Sequence, residues 1–180
     1  GDMAKLDIRM KSCLVTGAAG GIGGATARAL GRERARLVLT DRDQAALDAV
    51  ADALRAEGAE VLVARAVDLT DGDAVARFAD EVHARCGPMD VVLNVAGISV
   101  WGTIESLTPD HWRRVVDVNL MGPVHVLSAF VPPMIAAGRG GHVVNVASAA
   151  ALFGLPWHAA YSASKFGLRT GQIVAITPGQ

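Results

Sequence analysis

Ser12-Cys-Leu-Val-Thr-Gly-Ala-Ala-Gly-Gly-Ile-Gly23 is the stretch on which the fold turns. Ser12 to Thr16 is a short apolar run stopped by glycine, the pattern of a buried strand, and Ile22 to Glu33 continues with the alanine-rich composition of a helix. Between them, Thr16-Gly17-Ala18-Ala19-Gly20-Gly21-Ile22-Gly23 places a glycine loop where strand passes into helix. Glycines admit positive φ and let backbone N–H groups approach a pyrophosphate, while a helix N-terminus offers unpaired donors and a favourable dipole. Two readings stand side by side: a dinucleotide cradle, or a tight turn with small residues for packing. A Walker loop is excluded because no Gly-Lys-Ser/Thr follows.

Outward from this loop the same alternation repeats. Arg36-Leu-Val-Leu-Thr40 reads as a second strand, Gln44 to Glu57 as a helix ended by Gly58, and Glu60-Val-Leu-Val-Ala64 as a third strand. Asp71 to Cys86 carries Val75, Phe78, Ala79 and Val82 at helical period, and Asp90-Val-Val-Leu-Asn94 forms a fourth strand. Thr108-Pro109-Asp110 starts a long helix that runs past Asn119 toward Met134, bent near Gly122-Pro123. Gly141 to Ala147 is a fifth strand. Apolar strands alternating with helices predict a Rossmann-type, doubly wound parallel sheet in three α/β/α layers, one domain over residues 1–180. One local rule is broken: Glu33-Arg34-Ala35 has no glycine where the first helix ends, so that turn needs another stop or a strained residue.

Composition narrows the partner. The chain has 180 residues, 51% hydrophobic and 19% charged, with net charge −1 and no long run of either sign, so the footprint of a nucleic-acid binder is missing. A small-molecule partner is expected. Two cysteines, Cys13 and Cys86, make no disulfide framework, and no leader pattern opens the chain, which fits a reducing cytoplasm. Apolar segments read as too short for a membrane span or as interrupted, the one around Phe130 by Pro132 and Pro133, so no membrane partner is expected. The histidines share no ligand spacing, and no metal site is expected.

Several polar residues fall at the carboxyl ends of strands, where ligands of open α/β sheets bind. Asp41 follows the second strand at roughly the 20-residue separation at which an acid meets the adenosine ribose hydroxyls. Its charge would repel a 2′-phosphate, favouring NAD over NADP, and the neighbouring Arg42 partly offsets that repulsion. Asp68-Leu69 and Asn94-Val-Ala-Gly97 lie after the third and fourth strands. Tyr161 and Lys165, at i and i+4, share one face of a helix, where an ammonium near a phenol favours the phenolate and so suits the pair to proton transfer. Trp101, Phe153, Leu155 and Trp157 either wall an apolar substrate pocket or pack the core.

Thr16-Gly-x-x-x-Gly21-x-Gly23, Asp68-Leu69, Asn94-Val-Ala-Gly97, Asn119 in Val118-Asn119-Leu120, Ser148 and Tyr161-x-x-x-Lys165 together resemble the short-chain dehydrogenase/reductase family. The resemblance implies an NAD(P)-dependent oxidoreductase passing a hydride between cofactor and an alcohol or ketone. Tyr161 would act as general acid/base, Lys165 would assist it and hold the nicotinamide ribose, Ser148 would bind the substrate oxygen, and Asn119 would place a water in a proton path to Lys165. Gly17, Gly21, Ile22, Gly23, Asp41, Arg42, Asp68, Leu69, Asn94, Ala96 and Gly97 would line the cofactor with Tyr161 and Lys165. A homo-oligomer, dimer or tetramer, would pair through the helix at 109–136 and the helix after Tyr161.

Two departures stand out. The family's paired asparagines are here Asn94-Val95, which leaves the backbone turn intact. At the carboxyl end only Phe166 to Gln172 separates Lys165 from Ile173-Val-Ala-Ile-Thr-Pro178-Gly179, so the helix reads as cut short and the substrate-covering segment as absent. The residues between Ala147 and Ile173 still suffice for a βαβ crossover to a sixth strand. Two rival functions remain: a dinucleotide-binding protein without turnover, and a methyltransferase, whose glycine loop is similar. The set of Ser148, Tyr161 and Lys165 argues against the latter, since methyl transfer does not need it.

Overall fold

Strand β1, Ser12–Thr16, is buried at every position and has parallel partners on both sides, β2 (Arg36–Asp41) and β4 (Val91–Asn94). This is the burial expected of apolar strands covered on two faces. The computed structural model describes residues 7–169 and 173–176. With β3 (Glu60–Ala66), β5 (Gly141–Asn145) and β6 (Ile173–Ile176) the sheet order is β3-β2-β1-β4-β5-β6. The order reverses between β1 and β4, which opens a crevice at the carboxyl edge there.

Period-two alternation divides the core between the two faces. Leu14, Val38, Val92 and Val143 join one cluster with Val75, Phe78 and Val82 of α3 (Gly72–Cys86) and Phe130 and Met134 of α5 (Gly122–Ala136). Cys13, Val15, Leu37 and Leu39 join the other with Ala27 of α1 (Gly21–Arg32) and Leu47, Ala51 and Leu54 of α2 (Gln44–Ala56). Both cysteines are free, and burial, with Asp90 adding to it, pushes the Cys13 thiol up to about 12.

The missing glycine after α1 is met by strain. Arg34 takes φ 61°, its N–H donating to the Gly31 carbonyl and the Ala35 N–H to the Leu30 carbonyl, whereas after α2 a glycine, Gly58, holds the corresponding left-handed conformation at φ 89°. Arg34 is exposed, so its side chain contributes no core packing that would be lost on substitution. Arg34→Gly is therefore expected to stabilise the chain by about 0.5–1 kcal/mol, read as a rise in the denaturant midpoint at unchanged slope.

The long helix begins as its sequence predicts. Thr108 caps it, its hydroxyl accepting from His111 N while His111 Nδ1 accepts from Thr108 N, and Pro109 stands in the first turn of α4 (Pro109–Val116). A π-helical turn, Asp117–Met121, joins α4 to α5. Pro123 lacks the N–H that would bond the Asn119 carbonyl, and so favours this widened turn just before it. Pro132 and Pro133 stand inside α5 without ending it, so the apolar path they were expected to interrupt continues to Ala136, although each removes one backbone N–H from the helix. The resulting path from Pro109 to Ala136 is, by length and composition, apolar enough to cross a membrane. Here Val115, Asn119, Val126, Phe130 and Met134 are buried within the fold, and the path packs on α3 and on α6 (Ala159–Arg169).

One strand departs from the all-parallel expectation. β6 pairs antiparallel with β5, Gly141 opposite Ile176 and Val144 opposite Ile173. Of the residues counted toward a crossover, Ser148 to His158 form a loop on the carboxyl edge that includes a 3-10 turn at Ala149–Ala151, and 11 residues form α6. Thr177 to Gly179, the expected close of that strand, lie outside the described residues.

Candidate active site

At the switch point lies a cleft of about 830 Å³ lined by the glycine loop, the ends of β2, β3 and β4, and one side of α4. Its glycines differ in what they do. Gly17 has φ 66°, and a Cβ there would lie 2.7 Å from the Ala96 Cα, so the loop and the turn after β4 touch backbone to backbone. At Gly23 a Cβ would strike the Gly17 carbonyl. At Gly21 nothing lies within 4 Å, so the protein's own packing does not require glycine; the open space adjoins the first turn of α1, where the cap residue Gly20 makes no side-chain bond and no acidic side chain is present. Unpaired N–H donors beside open space suit a pyrophosphate. The exposed Ile22 side chain, 66% accessible, lines the same cleft.

Asp41 ends β2 with its carboxylate fixed: Oδ2 accepts from Ala19 N at 3.0 Å and Oδ1 from Arg42 N at 2.7 Å, so the acid ties the glycine loop to its own strand and points acceptors at the cleft. Asp68, Leu69, Ala96 and Gly97 line the cleft as well. The Thr70 backbone N–H and then its hydroxyl, at 2.9 and 2.7 Å, hold the Asp68 carboxyl below the usual carboxylate range. Asn94 is not among the lining residues; it is buried, its Nδ2 donating to Asn145 Oδ1 at 2.8 Å across β4 and β5.

Asn119, Ser148, Tyr161 and Lys165, expected to carry chemistry, are not among the residues lining the cleft; they lie at the same carboxyl edge of the sheet, where Asn119 and Lys165 adjoin Gly97 of the cleft. Asn119 is wholly buried: Oδ1 accepts from Ile98 N, and Nδ2 donates to the Ile98 carbonyl and to Ser164 Oγ, so its amide is a clamp between the π turn, the loop after β4, and α6. Lys165 is 4% exposed, and its Nζ donates to the Val146 carbonyl at 2.9 Å and lies 5.8 Å from the Tyr161 ring centroid. Burial pushes its pKa down from the ordinary lysine value. A Cβ on Gly97 would come within 3.3 Å of both Lys165 Nζ and Asn119 Oδ1, so this glycine leaves the lysine its room. Ser148 Oγ accepts from Ala150 N at 3.1 Å, which leaves its own hydroxyl proton available to donate.

Some residues that shape the site escaped sequence reading. Thr16 Oγ1 accepts from both Val95 N and Ala96 N at 3.1 Å and so anchors the turn after β4. His125 Nδ1, 2.8 Å from the Leu69 carbonyl, must donate to it, and fixes the loop after β3 from beneath. Thr16 was visible as the strand end that opens the glycine motif, but the role of its hydroxyl was not, and His125 was one histidine among five. Of the side chains expected to wall a pocket or pack the core, Trp101, Phe153 and Trp157 are all more than half exposed, so they are not core. Among the described residues no three His, Cys, Asp or Glu side chains group as a metal site.

A Rossmann-type sheet with a glycine-loop cleft and a buried lysine beside a tyrosine defines the class. The short chain dehydrogenase family model matches residues 11–171, and the chain belongs to that family. It is 40% identical over 162 residues to 1-deoxy-11-beta-hydroxypentalenate dehydrogenase of Streptomyces avermitilis, spanning 89% of this chain and 60% of that one. Among solved structures it resembles a short chain dehydrogenase/reductase of Burkholderia phymatum in complex with NAD, with TM-score 0.88 and 33% identity, over 92% of this chain and 59% of that one. A metagenomic short-chain oxidoreductase in complex with NADP gives TM-score 0.84 and 42% identity, over 92% and 74%. The chain thus spans only part of the length of these relatives.

Proposed function

We propose that this chain is an NAD-dependent oxidoreductase that interconverts a secondary alcohol and a ketone. The observation that carries this reading is the buried Lys165 beside Tyr161, its Nζ next to Gly97 of the glycine-loop cleft. NAD, when bound, would accept the hydride from the alcohol carbon. Tyr161 would take the hydroxyl proton as phenolate and return it as phenol in the reverse direction. The Lys165 ammonium, held on the Val146 carbonyl, would place its charge beside the Tyr161 ring and hydrogen-bond a ribose hydroxyl. Ser148 would donate its free hydroxyl proton to the substrate oxygen. Both Asn119 Nδ2 hydrogens are engaged, and its backbone carbonyl, which Pro123 cannot bond, would hold a water toward Lys165.

Gly17, Gly21, Ile22 and Gly23 would cradle the pyrophosphate, with Asp68, Leu69, Ala96 and Gly97 along the adenosine and nicotinamide ribose; Asn94 would support the turn from behind. Asp41 would bind the adenosine ribose hydroxyls and repel a 2′-phosphate, with Arg42 offsetting part of that repulsion. The test is to incubate the chain with NAD and a panel of secondary alcohols and follow reduced cofactor by absorbance. Cofactor binding without turnover would favour a non-catalytic dinucleotide-binding protein. NAD is expected to raise the melting temperature more than NADP at equal concentration, and Asp41→Ala to narrow that difference; a larger rise with NADP would overturn the role given to Asp41.

A further inference from the structure

Five of the large apolar side chains left in solvent come from two segments that touch each other, one of them leading into the helix of Tyr161. Trp101, at 68% exposure, and Ile104, at 74%, come from the segment after β4; Leu152, Phe153 and Trp157, at 59%, 55% and 61%, come from the segment before α6. Scattered exposed apolar residues need no explanation, but several on two adjoining segments next to the proposed proton carrier mark a binding surface.

The two segments are tied together by specific geometry. Gly102 N donates to the Trp157 carbonyl at 3.0 Å. Trp101 and His158 rings meet with centroids 4.0 Å apart, and His158 meets Tyr161 edge-on at 6.0 Å, so a row of three rings ends at the proposed proton donor. His158 is itself held, Nδ1 lying 2.8 Å from the Pro156 carbonyl, which can only accept. Two backbone features serve this arrangement. Trp157 takes φ 59°, a strained conformation for a bulky residue, although its exposed side chain gains little from packing there. Gly102 has no room for a side chain, a Cβ there lying 2.5 Å from Ser106 Oγ and 3.1 Å from Leu107. Backbone strain at a site mouth that buries no side chain of its own serves to place the next residue in the chain, here His158 against Trp101.

We infer that the Trp101 ring forms an aromatic subsite, with His158 as its positioning residue, and that the substrate is a secondary alcohol or ketone carrying a flat aromatic or conjugated ring on the reacting carbon. This rests on the dehydrogenase reading above. One side of the Trp101 ring is taken by His158, while most of its surface stays open, and rings stack on such surfaces more favourably than saturated groups of equal area.

The test compares 1-phenylethanol with 1-cyclohexylethanol, matched in size, in the presence of NAD. The phenyl alcohol is expected to have the higher kcat/KM by roughly threefold to tenfold, the range one aromatic pair supplies. Trp101→Ala and His158→Ala should erase that preference, His158→Phe should keep it, and NAD affinity, measured by fluorescence titration, should be unchanged in all three and so report intact folding. Ketone binding is read separately, by quenching of tryptophan fluorescence with acetophenone against cyclohexyl methyl ketone in the NAD-saturated chain. Equal turnover of the two alcohols, or a preference that survives Trp101→Ala, overturns the subsite and leaves the dehydrogenase reading standing. Selective acetophenone binding without turnover of either alcohol supports the subsite and overturns the dehydrogenase reading; neither selective binding nor turnover overturns both.

Discussion

Tyr161→Phe is expected to lower kcat by about 10²–10⁴-fold, the range general acid/base catalysis supplies, while the Kd for NAD and the melting temperature stay close to their original values. Phenylalanine keeps the ring that meets His158 edge-on and lies beneath Lys165, so only the proton-carrying oxygen is lost. The companion variant separates function from stability. Lys165 is buried with a carbonyl for its hydrogen-bond acceptor and a folded-state pKa below its ordinary value. Between the folded and unfolded pKa the unfolded chain binds more protons, so stability rises with pH through that window, and below it the cost of burying the charge is borne in full. Lys165→Met is therefore expected to lose turnover yet melt no lower than the original chain at neutral pH, and to flatten the rise in stability toward alkaline pH. A clear fall in melting temperature at neutral pH would mean that Lys165 is a structural anchor, and would remove the burial argument for its role in catalysis.

How much of this was legible in the sequence depended on the physical range of each signal. The buried strands and the glycine loop announce themselves through local composition, because a strand covered on two faces must be apolar throughout and the helix entry needs small residues. The strain after α1 was legible too, since Arg34 stands where a glycine belongs, and it does adopt positive φ. What the sequence did not show was set by distant partners. Thr16 supports a turn nearly eighty positions later through its hydroxyl, and the glycine motif that it opens does not reveal that bond. The direction of β6 depends on how many residues the loop over the carboxyl edge takes up before α6 begins, a matter of three-dimensional path rather than of residue count. Pro132 and Pro133 lie inside α5, so proline alone did not mark an end of the apolar path. For Asn119 the motif identified the position, but its clamp on Ile98 and Ser164 appears only once α6 is packed against the π turn.

Gly23→Ala and Gly21→Ala, two residues apart, are expected to fail in opposite ways. At Gly23 the added Cβ would strike the Gly17 carbonyl, a backbone atom that cannot swing aside, with the Ala18 Cα only 3.1 Å away. Gly17 cannot retreat either, since it lies against the Ala96 backbone, whose turn Thr16 anchors. The clash must therefore open the loop, α1 or the turn after β4, and the expected cost is about 3 kcal/mol, at the upper end of overpacking in a core, seen as a lowered denaturant midpoint with or without cofactor. At Gly21 the Cβ meets nothing within 4 Å, and alanine is the better helix former in the first turn of α1, so stability should be unchanged or slightly higher. That methyl would instead occupy the space through which a pyrophosphate reaches the helix N-terminus. NAD affinity is expected to fall by roughly tenfold or more, the equivalent of losing about one charge-assisted hydrogen bond. The pair is read by chemical denaturation for stability and by fluorescence titration for NAD affinity. Should Gly21→Ala bind NAD as well as the original chain, the open space beside α1 is not the phosphate site, and the cofactor must enter the cleft in another orientation.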